Sequence, residues 1–142
     1  MGRGPGLRSL AVAGAIVLAA IAPGCGGGPT LTAAEFVDRV NQQGVSIELG
    51  RRLPSTGGAR ELYAVRLPPL PGESPPRGSD SGPGASGSLY VFGGSGGAEK
   101  QLRACRASGG LTCFQAANVV VVLQGSPLEA QRLAAAIVQL RD

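Results

Sequence analysis

Four consecutive valines, Val119 to Val122, between Asn118 and Leu123 constrain this chain more than any other stretch. A half-exposed strand alternates apolar and polar residues. A run that is apolar and β-branched at every position reads instead as a central strand buried on both faces. With 142 residues the chain suffices for one domain and not for two of ordinary size. The valine strand is therefore expected at the heart of a single core.

The elements around it carry their own local signals. Thr32 as N-cap and Glu35 three residues later form a capping box, and Leu31 can staple onto Phe36. Phe36, Val37 and Val40 give the apolar stripe of that helix, and Gly44 stands where a C′ glycine belongs. Val45–Leu49 alternates with period two and predicts a first strand; Glu61–Leu67 predicts a second. Pro54–Gly58 supplies a turn between them, so an antiparallel pair is expected. Residues 68–87 (PPLPGESPPRGSDSGPGASG) have almost no apolar content after Leu70 and predict a disordered loop inside the domain. A strand resumes at Ser88–Phe92, and the glycines of 93–97 lead into a short helix over Ala98–Ala107, with Ala98, Leu102 and Cys105 on one face. After the valine strand, Ser126, Pro127 and Glu129 give an N-cap, a proline at N1 and a capping-box carboxylate. Ala130, Leu133, Ala134, Ile137 and Arg141, widened by Val138, then repeat at helical spacing.

The expected fold class is α+β: a single small four-stranded sheet, antiparallel or mixed, with helices packed on it in the order α-β-β-β-α-β-α. The middle helix would return the chain to where the third strand began, so strands three and four could run parallel with a right-handed crossover.

Residues 1–24 have the three parts of a secretory signal: Arg3 and Arg8 in a short positive region, the uncharged stretch Leu10–Ala22, and the small residues Pro23 and Gly24. At about 1.5 Å per residue the apolar stretch reaches only roughly 20–24 Å, short of the ~30 Å hydrocarbon core. Ala20-Ile21-Ala22 fits the ordinary signal-peptidase pattern, but Pro23 directly after it makes a poor cleavage site. Ala22-Pro23-Gly24-Cys25 resembles instead the lipobox of bacterial lipoproteins, with Ala22 where that family usually has Leu. The resemblance implies a diacylglyceryl group on the Cys25 thiol and cleavage between Gly24 and Cys25. It would place the mature chain on the extracytoplasmic face of a bacterial membrane, anchored by lipid. Two acyl chains hold stably where one holds marginally. Residues 25–30 would form a flexible tether, and 31–142 the α+β domain. The competing reading of Cys25 is a plain small residue in a signal or buried helix.

Lipid on Cys25 also resolves the odd cysteine count. It leaves Cys105 and Cys113, an exported pair whose short, glycine-containing loop can close into a structural disulfide of roughly 2–3 kcal/mol. That bridge would tie the middle helix to the start of the valine strand.

Chemistry is constrained mainly by absences. The chain has no His, the commonest general base and transition-metal ligand, and no Trp; aromatics make 4%. No cofactor is implied. Net charge is +4, and removing residues 1–24 leaves 11 basic against 9 acidic side chains, or +2. Arg51–Arg52 and Arg103/Arg106 are short and separated, so no nucleic-acid interface is expected. The Gly93–Gly97 loop lacks a dinucleotide or P-loop signature, since Glu99 stands where a third glycine is needed.

The leading functional expectation is a non-catalytic binding or scaffolding domain facing an envelope protein or polymer. The alternatives are a small envelope hydrolase using carboxylates such as Glu48 and Glu61, or Ser or Tyr, and a thiol-redox protein cycling Cys105 and Cys113.

Overall fold

The computed structural model describes residues 28–69, 84–124 and 128–140. Among these residues eight elements follow one another: α1 (Ala33–Gln42), β1 (Glu48–Leu53), β2 (Glu61–Leu67), β3 (Ala85–Val91), α2 (Ser95–Ser108), β4 (Leu111–Ala116), β5 (Val119–Gln124) and α3 (Leu128–Gln139). The strands form one sheet in the order β1-β2-β3-β5-β4, antiparallel throughout. The fold is α+β with three helices, in the order α-β-β-β-α-β-β-α.

Two expectations are corrected together. The sheet has five strands rather than four, because Leu111–Ala116 forms β4, paired in a hairpin with β5. That added strand reverses the chain once more, so β5 runs antiparallel to β3 and not parallel to it. The hairpin turn carries no glycine: Ala117 occupies it with φ 51, a left-handed conformation that L-residues with a Cβ seldom adopt.

The valine strand sits as its composition requires. Val119, Val121 and Leu123 point into a core closed by α1 and α3, with Phe36, Val40, Leu89, Leu133 and Ile137. Val120 and Val122 point to the opposite face, where Ala98 of α2 and Phe92 cover them. The sheet is thus covered on both faces over β5. Tyr90 stacks beside Phe92 on the α2 side, ring centroids 6.4 Å apart.

α1 forms as its capping box dictates: the Glu35 amide donates to Thr32 Oγ1 at 3.2 Å and the Thr32 amide to Glu35 Oε2 at 2.8 Å. Leu31 and Phe36 share the buried cluster, as the staple requires. Gly44 follows the helix with φ +82, the left-handed C′ position. The first strand lies further along than expected, at Glu48–Leu53 instead of Val45–Leu49. Val45 and Ile47 are buried, but Asn41 claims the backbone of Ile47: its Oδ1 accepts from the Ile47 amide at 2.9 Å and its Nδ2 donates to the Ile47 carbonyl at 3.4 Å. These groups are spoken for before the ladder starts.

Boundaries shift elsewhere for similar reasons. β3 starts at Ala85, inside the expected 68–87 loop; residues 70–83 lie outside the described ones. α2 begins at Ser95, three residues before Ala98, so part of the glycine run is helical. On α3 the buried residues are Glu129, Ala130, Leu133, Ala136 and Ile137, while Val138 is exposed and does not widen the stripe. Ser126, Pro127 and Arg141 lie outside the described residues.

The sheet register defines two ends. Leu53, Glu61, Val91, Val119 and Ala116 meet at one, where Leu31 enters; Leu67, Ala85, Leu123, Gln124 and Leu111 meet at the other.

Candidate functional site

Cys25 and Gly24 lie outside the described residues, as does the whole expected signal; of the tether, Gly28, Pro29 and Thr30 are described and exposed. Among the described residues no helix is long and apolar enough to cross a membrane. Cys105 and Cys113 are joined by a disulfide with Cα atoms 6.3 Å apart. It ties α2 to β4, not to the start of β5 as expected, since β4 was not foreseen. Cys105 is buried and Cys113 half-buried.

The carboxylates singled out from the sequence do not converge. Glu48 pairs across from Arg66, five residues along β2 from Glu61, a separation of roughly 17 Å at about 3.3 Å per residue. Paired glycosidase carboxylates stand about 5–9.5 Å apart. Glu48 is exposed. Glu61 meets Arg52 at 3.6 Å in a pair open to solvent. No three His, Cys, Asp or Glu side chains among the described residues are grouped to hold a metal ion.

Two depressions mark opposite ends of the sheet. At the end where Leu31 enters, a shallow cleft of about 330 Å³ is bordered by Thr30, Arg52, Arg60 and Asn118. Asn118 is buried there and both its donors are used: its Nδ2 donates to the carbonyls of Leu31 at 3.0 Å and Phe92 at 2.8 Å, and its Oδ1 accepts from the Leu31 amide at 2.6 Å. This side chain ties the entering chain to two loops and has no donor left to offer a ligand.

At the far end a cleft of about 250 Å³ opens between the α1–β1 connection, the end of β2 and the first turns of α3. Val45, Leu67 and Pro69 give it apolar walls, and Ser46, Glu129 and Arg132 bring polar groups to it. Glu129 keeps only 9% of its surface exposed. Among the described residues no buried side-chain polar atom lacks a hydrogen bond, and Glu129 has none to a described residue. Its carboxylate oxygens therefore reach the open space of the cleft. Arg132, three residues on and exposed, lines the same space.

The sequence singled out Glu129 as a helix-capping residue and passed over Arg132. Their i, i+3 spacing, which puts both on one helix face, was the available signal. Nothing in the sequence said that the Gly44–Ser46 turn would close a wall opposite them.

No family model matches the chain. No curated protein and no solved structure matches it either.

Proposed function

We propose that the chain is the precursor of a bacterial envelope lipoprotein, anchored through a diacylglyceryl group on Cys25, whose folded domain binds or scaffolds a partner without catalysing a reaction. The observation that carries the reading is cysteine pairing. Cys105 and Cys113 are bonded to each other, which leaves Cys25 as the single cysteine without a mate, directly behind an apolar export-type segment. The lipobox-like Ala22-Pro23-Gly24-Cys25 gives that thiol a use.

The geometry of the domain suits such an anchor. From Cys25 to Leu31 the chain spans at most about 20 Å, so the Leu31 end of the sheet would ride close to the bilayer. The cleft with Glu129 and Arg132 lies at the other end, about one strand length, roughly 20 Å, further out. A binding surface held away from the lipid suits a partner in the envelope or outside it. The separation of Glu48 and Glu61 favours binding over carboxylate-pair hydrolysis.

The test is fractionation of cells expressing the full chain and its Cys25→Ser variant. The native chain is expected in the membrane fraction, released by detergent and retained in high salt. Cys25→Ser is expected to lose that attachment or to remain as the unprocessed precursor. Equal attachment of a processed Cys25→Ser chain would refute the anchor.

A further inference from the structure

We infer that the cleft at the outer end of the sheet is a binding site for a small zwitterion of the amino-acid class, its ammonium seated on the Glu129 carboxylate and its carboxylate on the Arg132 guanidinium. The inference rests on reading the domain as a binding module and names the ligand that module takes; it does not depend on the lipid.

Glu129 carries the argument. Glutamate is seldom this buried; the stem of Glu129 is packed away while its carboxylate oxygens open into the cleft, the side from which a partner can reach them. Here the side chain is nine-tenths buried, and no described residue supplies a donor or a cation. Its neighbour Arg132 neither pairs nor hydrogen-bonds with it, although i, i+3 residues on a helix can reach each other. Two residues of opposite charge thus line the same space, each with its hydrogen-bonding capacity unused by described residues.

That juxtaposition selects among ligands. A free anion would be drawn to Arg132 and repelled by Glu129, and a simple cation would meet the reverse. A molecule carrying both charges a few bonds apart satisfies both at once. An ammonium offers three donors to the carboxylate, and the planar guanidinium fork matches a carboxylate two-pronged. The cleft, at about 250 Å³, has room for a small molecule, and it adjoins a second depression that shares Gly44, Val45 and Arg132. Val45, Leu67 and Pro69 leave an apolar wall for a short side chain.

The experiment is a titration of the full chain, purified from a whole-cell detergent extract and labelled with 15N, followed by amide shifts at neutral pH. Glycine and alanine are the zwitterionic probes; methylammonium and acetate each carry one half of the charge pattern. Glycine or alanine should shift the amides of Gly44, Ser46, Glu129 and Arg132 in a saturable manner. Binding should weaken about ten-fold or more in both Glu129→Gln and Arg132→Gln, the change expected from losing one charge-assisted contact. Arg132 is exposed, so its variant keeps the fold, and unchanged amides in β3 and β5 verify this for both. Methylammonium and acetate should bind more weakly than either zwitterion. Absence of saturable shifts, equal affinity in either variant, or acetate or methylammonium binding as tightly as glycine would overturn the site. Intact mass of the same sample reports lipid on Cys25 separately, so failure of the anchor and failure of the cleft are read independently.

Discussion

Asn118 and Leu31, 87 residues apart in sequence, exchange two hydrogen bonds: the Leu31 amide donates to Asn118 Oδ1 at 2.6 Å, and Asn118 Nδ2 donates to the Leu31 carbonyl at 3.0 Å. The side chain thus acts as a one-residue stretch of partner backbone, pinning the start of the domain to the β4–β5 turn. A third bond to the Phe92 carbonyl, at 2.8 Å, adds the loop before α2. Replacing Asn118 by Ala should destabilise the domain by about 3 kcal/mol, since it strands three backbone groups at a buried site. Urea unfolding checks this. Hydrogen exchange at Leu31 and Phe92 should accelerate more than at β5 itself.

The disulfide between Cys105 and Cys113 closes a loop of eight residues' separation and staples α2 to β4. Replacing both cysteines by Ala should lower stability by roughly 2–3 kcal/mol, the chain-entropy value for a short loop, and leave ligand binding in the outer cleft unaltered. Thermal melts with and without reductant check it. A native domain that is reduced readily by physiological thiols, with no loss of stability, would favour thiol-redox chemistry instead.

Glu35 gives a signed pH dependence. Hydrogen bonds from the Thr32 amide and hydroxyl, with a smaller contribution from Arg39, hold its carboxyl below its ordinary value of 4.5, against a small opposing effect of desolvation. A folded value below the unfolded one means that the stabilisation is complete above 4.5 and is lost as pH falls through the lower folded value. Glu35→Gln keeps the capping-box geometry and should flatten that part of the stability curve while shifting the neutral-pH melt little. Melts between neutral and acid pH decide the matter.

Gly87 lies mid-strand in β3, where an added Cβ would fall on the Val122 carbonyl of β5. The obstruction is backbone, which cannot rotate away. Gly87→Ala should cost about 2–3 kcal/mol, the scale of overpacking in a core, and should loosen exchange protection along the β3–β5 ladder. An unaltered melt would mean that the two strands do not approach as described.

How much of this was legible follows from what each signal depends on. The α1 capping box, the Gly44 terminus and the two-sided burial of Val119–Val122 depend on neighbours in sequence, and they were readable. β4 was not, because its hairpin turns on Ala117 and Asn118 instead of the glycine that marks most such turns. Without it a parallel β5 stayed open beside the antiparallel one that forms. The start of β1 moved because Asn41, six residues before Ile47, occupies backbone groups that period-two alternation assigns to a strand. The outer cleft was out of reach for a plainer reason: it is made by Val45, Leu67 and Glu129, brought together only when α3 docks on the sheet. The proposed anchor is the reverse case, a signal written entirely in residues 1–25 and independent of the fold.

The anchor is tested most directly by the intact mass of the protein extracted from membranes of an expressing bacterium, beside the Cys25→Ser variant. The account predicts a native mass that has lost residues 1–24 and gained a diacylglyceryl group, with the variant showing neither change. A native chain cut elsewhere, or uncut, and carrying no lipid would contradict it.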